Sequence, residues 1–473
     1  MTNEDKFIVA IVLGSSKIST VVGRKEPDGA IKVLMYFQDH SSSFIRKGRI
    51  NNVKKMKACL AGIKEKLENK LQKSVGCVYV GVGGMGVHSV PNTVTRHLEE
   101  KQTITEELVN DISMTNRMTS SADQEILESV ILDYKVGTQL TTDPVGMQGE
   151  SIEGRFLNIV GNNSIRESIV ACFKEVGLKV AGMPIAVQAL SNCLLNDTEK
   201  SSGCVLVDMG AETTTVAVYK NRLLRHFAVL PLGGCNVNRD ITSLQIEDLE
   251  AEQLKLQYGE AIYDPAENKR ENITLNDGRT LPFGDFSNLV EARMEEIIMN
   301  VDHQVKLSKY DKDSLIGGIF LTGGASEMKG LEKAIRSYTE FTTLKHKKEI
   351  SLQLRGSNIA ELKKDTGYST ALSIIDLATE NCCAGNLGSA NNDLFDAENR
   401  KKEEERLAQE EAERKAQEEA ERKAREEAER IAQEEAERLA REEEKKKKPG
   451  FFSRIGDSAK KIGKKLSDMV GDE

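Results

Sequence analysis

No run of about 18 consecutive apolar residues occurs in this 473-residue chain, so no segment is long and apolar enough to cross a bilayer as a helix. The first residues, MTNEDKFIVAIV, lack the basic start and long apolar stretch of a secretory signal. Histidine is scarce: six residues, with no H-E-x-x-H or similar cluster, so no histidine-based metal site is expected. The eight cysteines are Cys59, Cys77, Cys172, Cys193, Cys204, Cys235, Cys382 and Cys383. Their spacings match no zinc or disulfide framework and several lie in apolar runs, which predicts buried free thiols in a reducing cytoplasm. Net positive charge is lacking too: −9 overall fits a soluble protein and argues against general nucleic-acid binding.

The chain is nevertheless long enough for two or more domains with real cores. Its organising stretch is residues 204–219, CVLVDMGAETTTVAVY, which reads as strand, tight turn, strand. Gly210 lets the backbone approach a ligand, and the hydroxyls of Thr213 and Thr214, with the N–H groups of the turn, can cradle phosphate oxygens. Asp208, at the strand end, is the candidate catalytic carboxylate and can hold magnesium through water. Taken alone, the same pattern also describes an ordinary β-hairpin. A second copy, VAIVLGSSKISTVV over residues 9–22, strengthens the phosphate reading. Laying Gly14 on Gly210 sets Ser15, Ser16 and Lys17 on Ala211, Glu212 and Thr213, which suggests a duplicated fold holding a nucleotide between its halves.

These two hairpins, with the strand and turn GGIFLTGGAS at residues 317–326, resemble the actin-like ATPase superfamily. The run LGSSKI followed by STVVG resembles its bacterial cell-division family FtsA. The resemblance implies a two-domain actin-like (ribonuclease H-like) α/β fold with ATP and Mg2+ in the cleft. It implies that Gly14, Ser15, Ser16, Lys17, Gly210, Thr213 and Thr214 face the phosphates, and that Gly233, Gly234, Gly323, Gly324 and Ser326 form turns around the nucleotide. It also implies that Glu252 and Lys255 reach the ribose or base; without it, that pair reads as a surface salt bridge one helical turn apart. One position departs from the pattern. The superfamily carries an acid two residues before the first glycine, and here Val12 stands there, which favours nucleotide binding over hydrolysis.

Along the chain, residues 1–83 read as strands, then a helix bearing Met56, Leu60, Ile63, Leu67 and Leu71 on one face, then a valine-rich buried strand. Residues 84–165 read as a small inserted α+β subdomain, its helix opened by Thr103 and Glu106 at capping-box spacing; the resemblance gives FtsA proteins such an insert. Residues 166–203 return to the first domain. The second domain spans 204–385, with an outer subdomain at about 235–300 and a long helix over 288–307.

Residues 386–402 read as a linker. From 403 to 448 the composition collapses to Glu, Arg, Lys, Ala and Gln, with an eight-residue repeat over 410–441. Each unit sets Glu four residues before Arg or Lys, as in Glu410 and Arg414, an order that favours an isolated helix by roughly 0.2–0.5 kcal/mol per pair. Eight residues advance about 800° around a helix, so the repeat slips by about 80° per unit and leaves no coiled-coil seam. The segment reads as a semi-rigid helical spacer of roughly 60 Å, with flexible disorder as the other reading.

After Pro449-Gly450, residues 449–473 set Phe451, Phe452, Ile455, Ile462, Leu466 and Met469 on an apolar side, with Lys460, Lys461, Lys464 and Lys465 on the polar side or its margins. Such a helix lies in the interface of an anionic membrane; docking on the protein's own core or on a partner are the other readings. The resemblance implies a membrane-tethered scaffold on the cytoplasmic face of the bacterial cell membrane at the division site. It would anchor FtsZ, recruit other divisome proteins, bind anionic inner-membrane lipid and self-associate into filaments. A small-molecule kinase of the same superfamily and a pilus-assembly ATP-binding protein are the alternatives.

Overall fold

Two sheets built on one plan carry the body of the protein. The computed structural model describes residues 6–119, 123–266, 270–347, 349–363 and 365–386. The linker, the charged spacer and the terminal amphipathic segment lie outside the described residues.

In the first sheet, Ile8–Leu13, Lys17–Lys25 and Ile31–His40 form an antiparallel meander. On the other side of Ile8–Leu13 lie Cys77–Gly81 and then Lys179–Gly182, both parallel. The second sheet repeats this: Cys204–Met209, Thr214–Lys220 and Leu223–Leu230 form the meander, and Ile319–Thr322 and Leu344–His346 add in parallel. Parallel neighbours need crossovers, and helices supply them. The helices Val53–Leu71 and Asn163–Glu175 pack together on one face of the first sheet, and Ala186–Leu194 and Thr366–Leu377 pack together on the other. The repeated plan explains the duplicated hairpins in the sequence, and the architecture is the actin-like, ribonuclease H-like fold.

The strand Cys204–Met209 opens on an unbroken apolar run, Cys204 to Val207, because both of its faces are buried there. Cys204 and Leu206 enter the core of the first half, while Val205, Val207 and Met209 enter that of the second. All eight cysteines are unbridged and six are fully buried, as their apolar settings predict. No helix among the described residues is long and apolar enough to cross a membrane.

The inserted subdomain has its own small core, from Val94, Ile112, Tyr134, Ile152 and Phe156, beneath the helix Glu106–Met118. Its sheet does not stand alone. His88–Thr103 meets Leu223–Leu230 where Ala228 faces His88, so the insert extends the sheet of the second half. The helix cap differs from the expected Thr103. The chain stays paired as strand through Thr103, opposite Gln148, and Thr105 caps instead, its hydroxyl accepting from the Leu108 N–H at 3.3 Å.

Two helices depart from the periodicity reading. Phe283–Leu307 starts five residues before the expected 288, because Pro282 stands at the N-cap, where its missing N–H costs no helical bond, and Phe283 and Phe286 are buried in the first turn. Gly234–Thr242 is an unexpected helix, GCNVNRDIT, with poor intrinsic propensity. Tertiary contact makes it: Val237 and Ile241 are buried, and its first N–H groups are pinned to the turn at Gly210 and Ala211.

Candidate functional site

Three turns at the ends of buried strands define the candidate site. In the second hairpin, Met209 pairs with Thr214 and the turn between them closes with Gly210 N–H donating to Thr213 O at 2.8 Å. Against this turn the chain returns at Gly233: a Cβ there would lie 2.6 Å from Gly210 O and 2.7 Å from Ala211 O. Gly234 N–H donates to Gly210 O at 3.0 Å and Cys235 N–H to Ala211 O at 2.6 Å. Thr214 is fully buried and its hydroxyl donates to Leu232 O at 2.8 Å. The Thr214 proton is thus committed to shaping the turn, which leaves Thr213 as the hydroxyl of the two without an acceptor among the described residues.

Asp208 ends the strand beside Thr322, its parallel neighbour. Among the described residues no group donates a hydrogen bond to its carboxylate and no cation pairs with it. Burial pushes its pKa up to about 6. An acid without a partner among the described residues, at the mouth of a glycine turn, fits a hydrated divalent cation, which would neutralise it. No group of three or more His, Cys, Asp or Glu among the described residues offers a direct cage, so contact through water is the mode that fits.

The third turn follows Ile319–Thr322. Gly323 sits at φ 89° and ψ 158°, a conformation reserved for glycine, and a Cβ there would lie 2.5 Å from Asp208 Oδ1. Gly324 differs: a Cβ there would meet nothing within 4 Å. Ser326 is buried and donates to Gly323 O at 2.7 Å, so its hydroxyl holds the turn.

Glu252 and Lys255 do form their one-turn pair, at 2.7 Å, with the Glu252 side chain 42% exposed and its partner tucked in. Lys255 is only 11% exposed, and its ammonium also reaches Gly234 O at 3.4 Å. A Cβ on Gly234 would lie 3.3 Å from that of Ala325, so this pair, Gly234 and the third turn share one corner. Burial favours a protonated Glu252, but hydrogen bonds from Lys255 and Asn238 outweigh it and hold the carboxyl below its usual range.

In the first hairpin the turn Gly14-Ser15-Ser16 is braced from residues 41–48. Ser41 donates to Gly14 O at 2.6 Å through its hydroxyl and to Ser16 O at 3.1 Å through its N–H, and Gly48 N–H donates to Ser15 Oγ at 2.9 Å. Lys17, expected to face phosphate, is paired with Asp365 at 2.5 Å. Asp365 also caps Thr366–Leu377 by accepting from Gly367 N–H. Val12 packs against the first core, so this hairpin brings no acid toward a metal.

Sequence reasoning missed Glu212, which ties the halves together. It is 3% exposed, and its Oε1 accepts from Arg46 at 2.8 Å and Arg239 at 3.2 Å, while its Oε2 accepts from Lys47 N–H at 2.6 Å. The only sequence signal is an acid inside a glycine turn that has no use for one at a phosphate. Both arginines are more than half exposed, so losing Glu212 leaves no buried unpaired cation. Glu212→Ala is therefore expected to cost about 1–3 kcal/mol, below the range for a fully buried pair, with the loss read from urea unfolding midpoints.

The chain matches two family models: "Cell division protein FtsA" over residues 205–373 and "SHS2 domain inserted in FTSA" over residues 84–160. It is 30% identical over 343 residues to the cell division protein FtsA of Porphyromonas gingivalis, covering 71% of each chain. It is 26% identical over 392 residues to that of Escherichia coli K12, covering 79% of this chain and 91% of the relative. A solved type IV pilus biogenesis complex, PilM–PilN, contains a similarly folded chain, with TM-score 0.53 at 13% identity over 79% of this chain and 99% of that one.

Proposed function

This chain belongs to the FtsA family of cell-division proteins, and on that premise we propose that it is an ATP-binding scaffold of the division site, tethered to the cytoplasmic face of the membrane. The reading rests on one observation above the others. Three glycine turns from two similarly built sheets, at residues 14–16, 210–213 and 323–326, combine with the unpartnered Asp208 carboxylate. Phosphates would sit against the first two turns, and Mg2+ would approach Asp208 through water. The base and ribose would take the corner made by Gly234, Glu252, Lys255 and Gly324. Bound magnesium supplies charge neutralisation for the phosphates. The chain's own residues orient the ligand by backbone N–H groups. Because Val12 gives no second acid, the proposal is binding with weak or absent hydrolysis, and Val12→Asp is the substitution that would raise turnover.

The terminal residues 449–473 would lie in an anionic bilayer, with the spacer setting the distance to the body. FtsZ and other division proteins are the proposed partners, and self-association into filaments is part of the same reading. Its test is pelleting with anionic vesicles, MgATP and FtsZ, comparing the full chain with one ending at Glu444. The full chain is expected to carry FtsZ down with the vesicles and the shortened chain to leave it in solution; equal recruitment by both would reject the tether. Phe452→Glu and Ile462→Glu each put a charge on the apolar face and are expected to lower vesicle flotation at least tenfold. Unchanged flotation of both would remove this segment from the membrane.

A further inference from the structure

A cavity of about 550 Å³ lies beside the candidate nucleotide site and contains none of its turn glycines. Four cations line it, Arg46, Lys47, Arg49 and Arg239, against one carboxylate, Glu212, a net of three positive charges. Glu212 is already saturated by Arg46, Arg239 and the Lys47 backbone. The Lys47 ammonium and the Arg49 guanidinium have no acidic partner among the described residues, and the Arg49 Nε is buried without an acceptor. A buried guanidinium donor left unpaired is costly and calls for an acceptor from outside the chain. Ser164 and Ser168 also line it, but their hydroxyl protons are committed to Asn162 Oδ1 and the Ser164 carbonyl, so they offer no free donor. Apart from Asn51, the remaining wall is mostly apolar, from Ile45, Ile50, Met85 and Ile165 among others.

We propose that this cavity binds a small amphiphilic phosphate, its phosphoryl head on Arg49 and Lys47 and its apolar body against the isoleucines and Met85. Guanidinium groups pair with phosphoryl oxygens through parallel N–H donors, which selects this head over a neutral polar one. The volume exceeds what inorganic phosphate needs, and the apolar wall is what an alkyl body would cover. The cavity and the second turn meet at Glu212, but the turn glycines lie outside the cavity, and the MgADP arms of the titration separate the two sites.

The test is calorimetric titration of the full chain with hexyl phosphate, inorganic phosphate and hexanol, each with and without excess MgADP. One hexyl phosphate per chain is expected in both conditions, at least tenfold tighter than inorganic phosphate, with no saturable hexanol binding. Arg49→Met keeps the apolar stem volume and removes the charge. It is expected to weaken hexyl phosphate roughly tenfold or more while leaving the thermal midpoint and MgADP affinity unchanged. If that variant fails to fold, Lys47→Met is read in the same way. Hexyl phosphate heat that disappears with MgADP would place the ligand in the nucleotide site. Equal binding by the charge-removing variants, hexanol binding as tightly, or no saturable binding at millimolar concentration would each overturn the proposal. Should MgADP itself not bind, the hexyl phosphate result stands alone and only the nucleotide reading fails.

Discussion

Asp208→Asn is expected to stabilise the ligand-free protein at neutral pH. The carboxyl holds its proton more tightly in the folded state, near 6, than at its ordinary value of 3.8. Well below pH 3.8 both states are protonated and the group costs nothing. As pH rises from 4 to 6 the unfolded chain releases the proton first, so folding loses stability, and above 6 the penalty is complete. At about 1.4 kcal/mol per tenfold change in proton affinity, the full penalty is at most about 3 kcal/mol. Asparagine removes it. Urea unfolding of the ligand-free chain should show the variant more stable by about 1–3 kcal/mol at pH 7.5, with the difference shrinking at pH 4.5. The same substitution should weaken Mg2+-dependent nucleotide binding at least tenfold, because the charge that costs stability is the one a cation would use. A variant less stable than the parent at pH 7.5 would mean that Asp208 is paired in a way the geometry does not show.

Gly323 and Gly324 are adjacent and should fail in opposite ways. Gly323→Ala must keep a glycine-only backbone conformation and force a methyl toward Asp208 Oδ1, 2.5 Å from where its Cβ would fall. A loss of about 2–4 kcal/mol in unfolding free energy is expected. Gly324→Arg meets open space, so its unfolding midpoint should stay within about 0.5 kcal/mol of the parent. Its long cationic side chain would fill the corner by Gly234 and Lys255, and nucleotide affinity should fall by a hundredfold or more. Comparable destabilisation by the two substitutions would contradict the assignment of Gly324 to the binding face.

The parts of this molecule legible in its sequence are those where local chemistry and tertiary role coincide. The hairpins at Gly14 and Gly210 carry strand propensity on both sides and a turn that only small residues suit, so their pairing in register follows directly. The helix Val53–Leu71 shows its buried face as Met56, Leu60, Ile63 and Leu67. The helix Gly234–Thr242 was hidden because contacts with the Gly210 turn, far away in sequence, create it. The clasp at Glu212 was hidden for the same reason: its partners Arg46 and Arg239 stand 166 and 27 residues away. At the site, residue type overstated direct contact. Thr214 and Ser326 sit in the expected turns, but each spends its single donor on Leu232 or Gly323, and Lys17 places one of its three on Asp365. Donor chemistry can be read from sequence; whether a donor is already occupied cannot. Lys255 shows the reverse, since spacing alone made it half of a surface pair with Glu252, and packing beside Gly234 draws its ammonium inward.

The most direct measurement is a calorimetric titration of MgATP into the full chain and into its Gly324→Arg variant, with unfolding midpoints recorded on the same samples. One saturable site per chain in the parent, lost in a variant that unfolds at the same midpoint, is the expected result. An equal affinity in both proteins, or no saturable binding in the parent, would contradict the assignment of these paired turns to an adenine nucleotide.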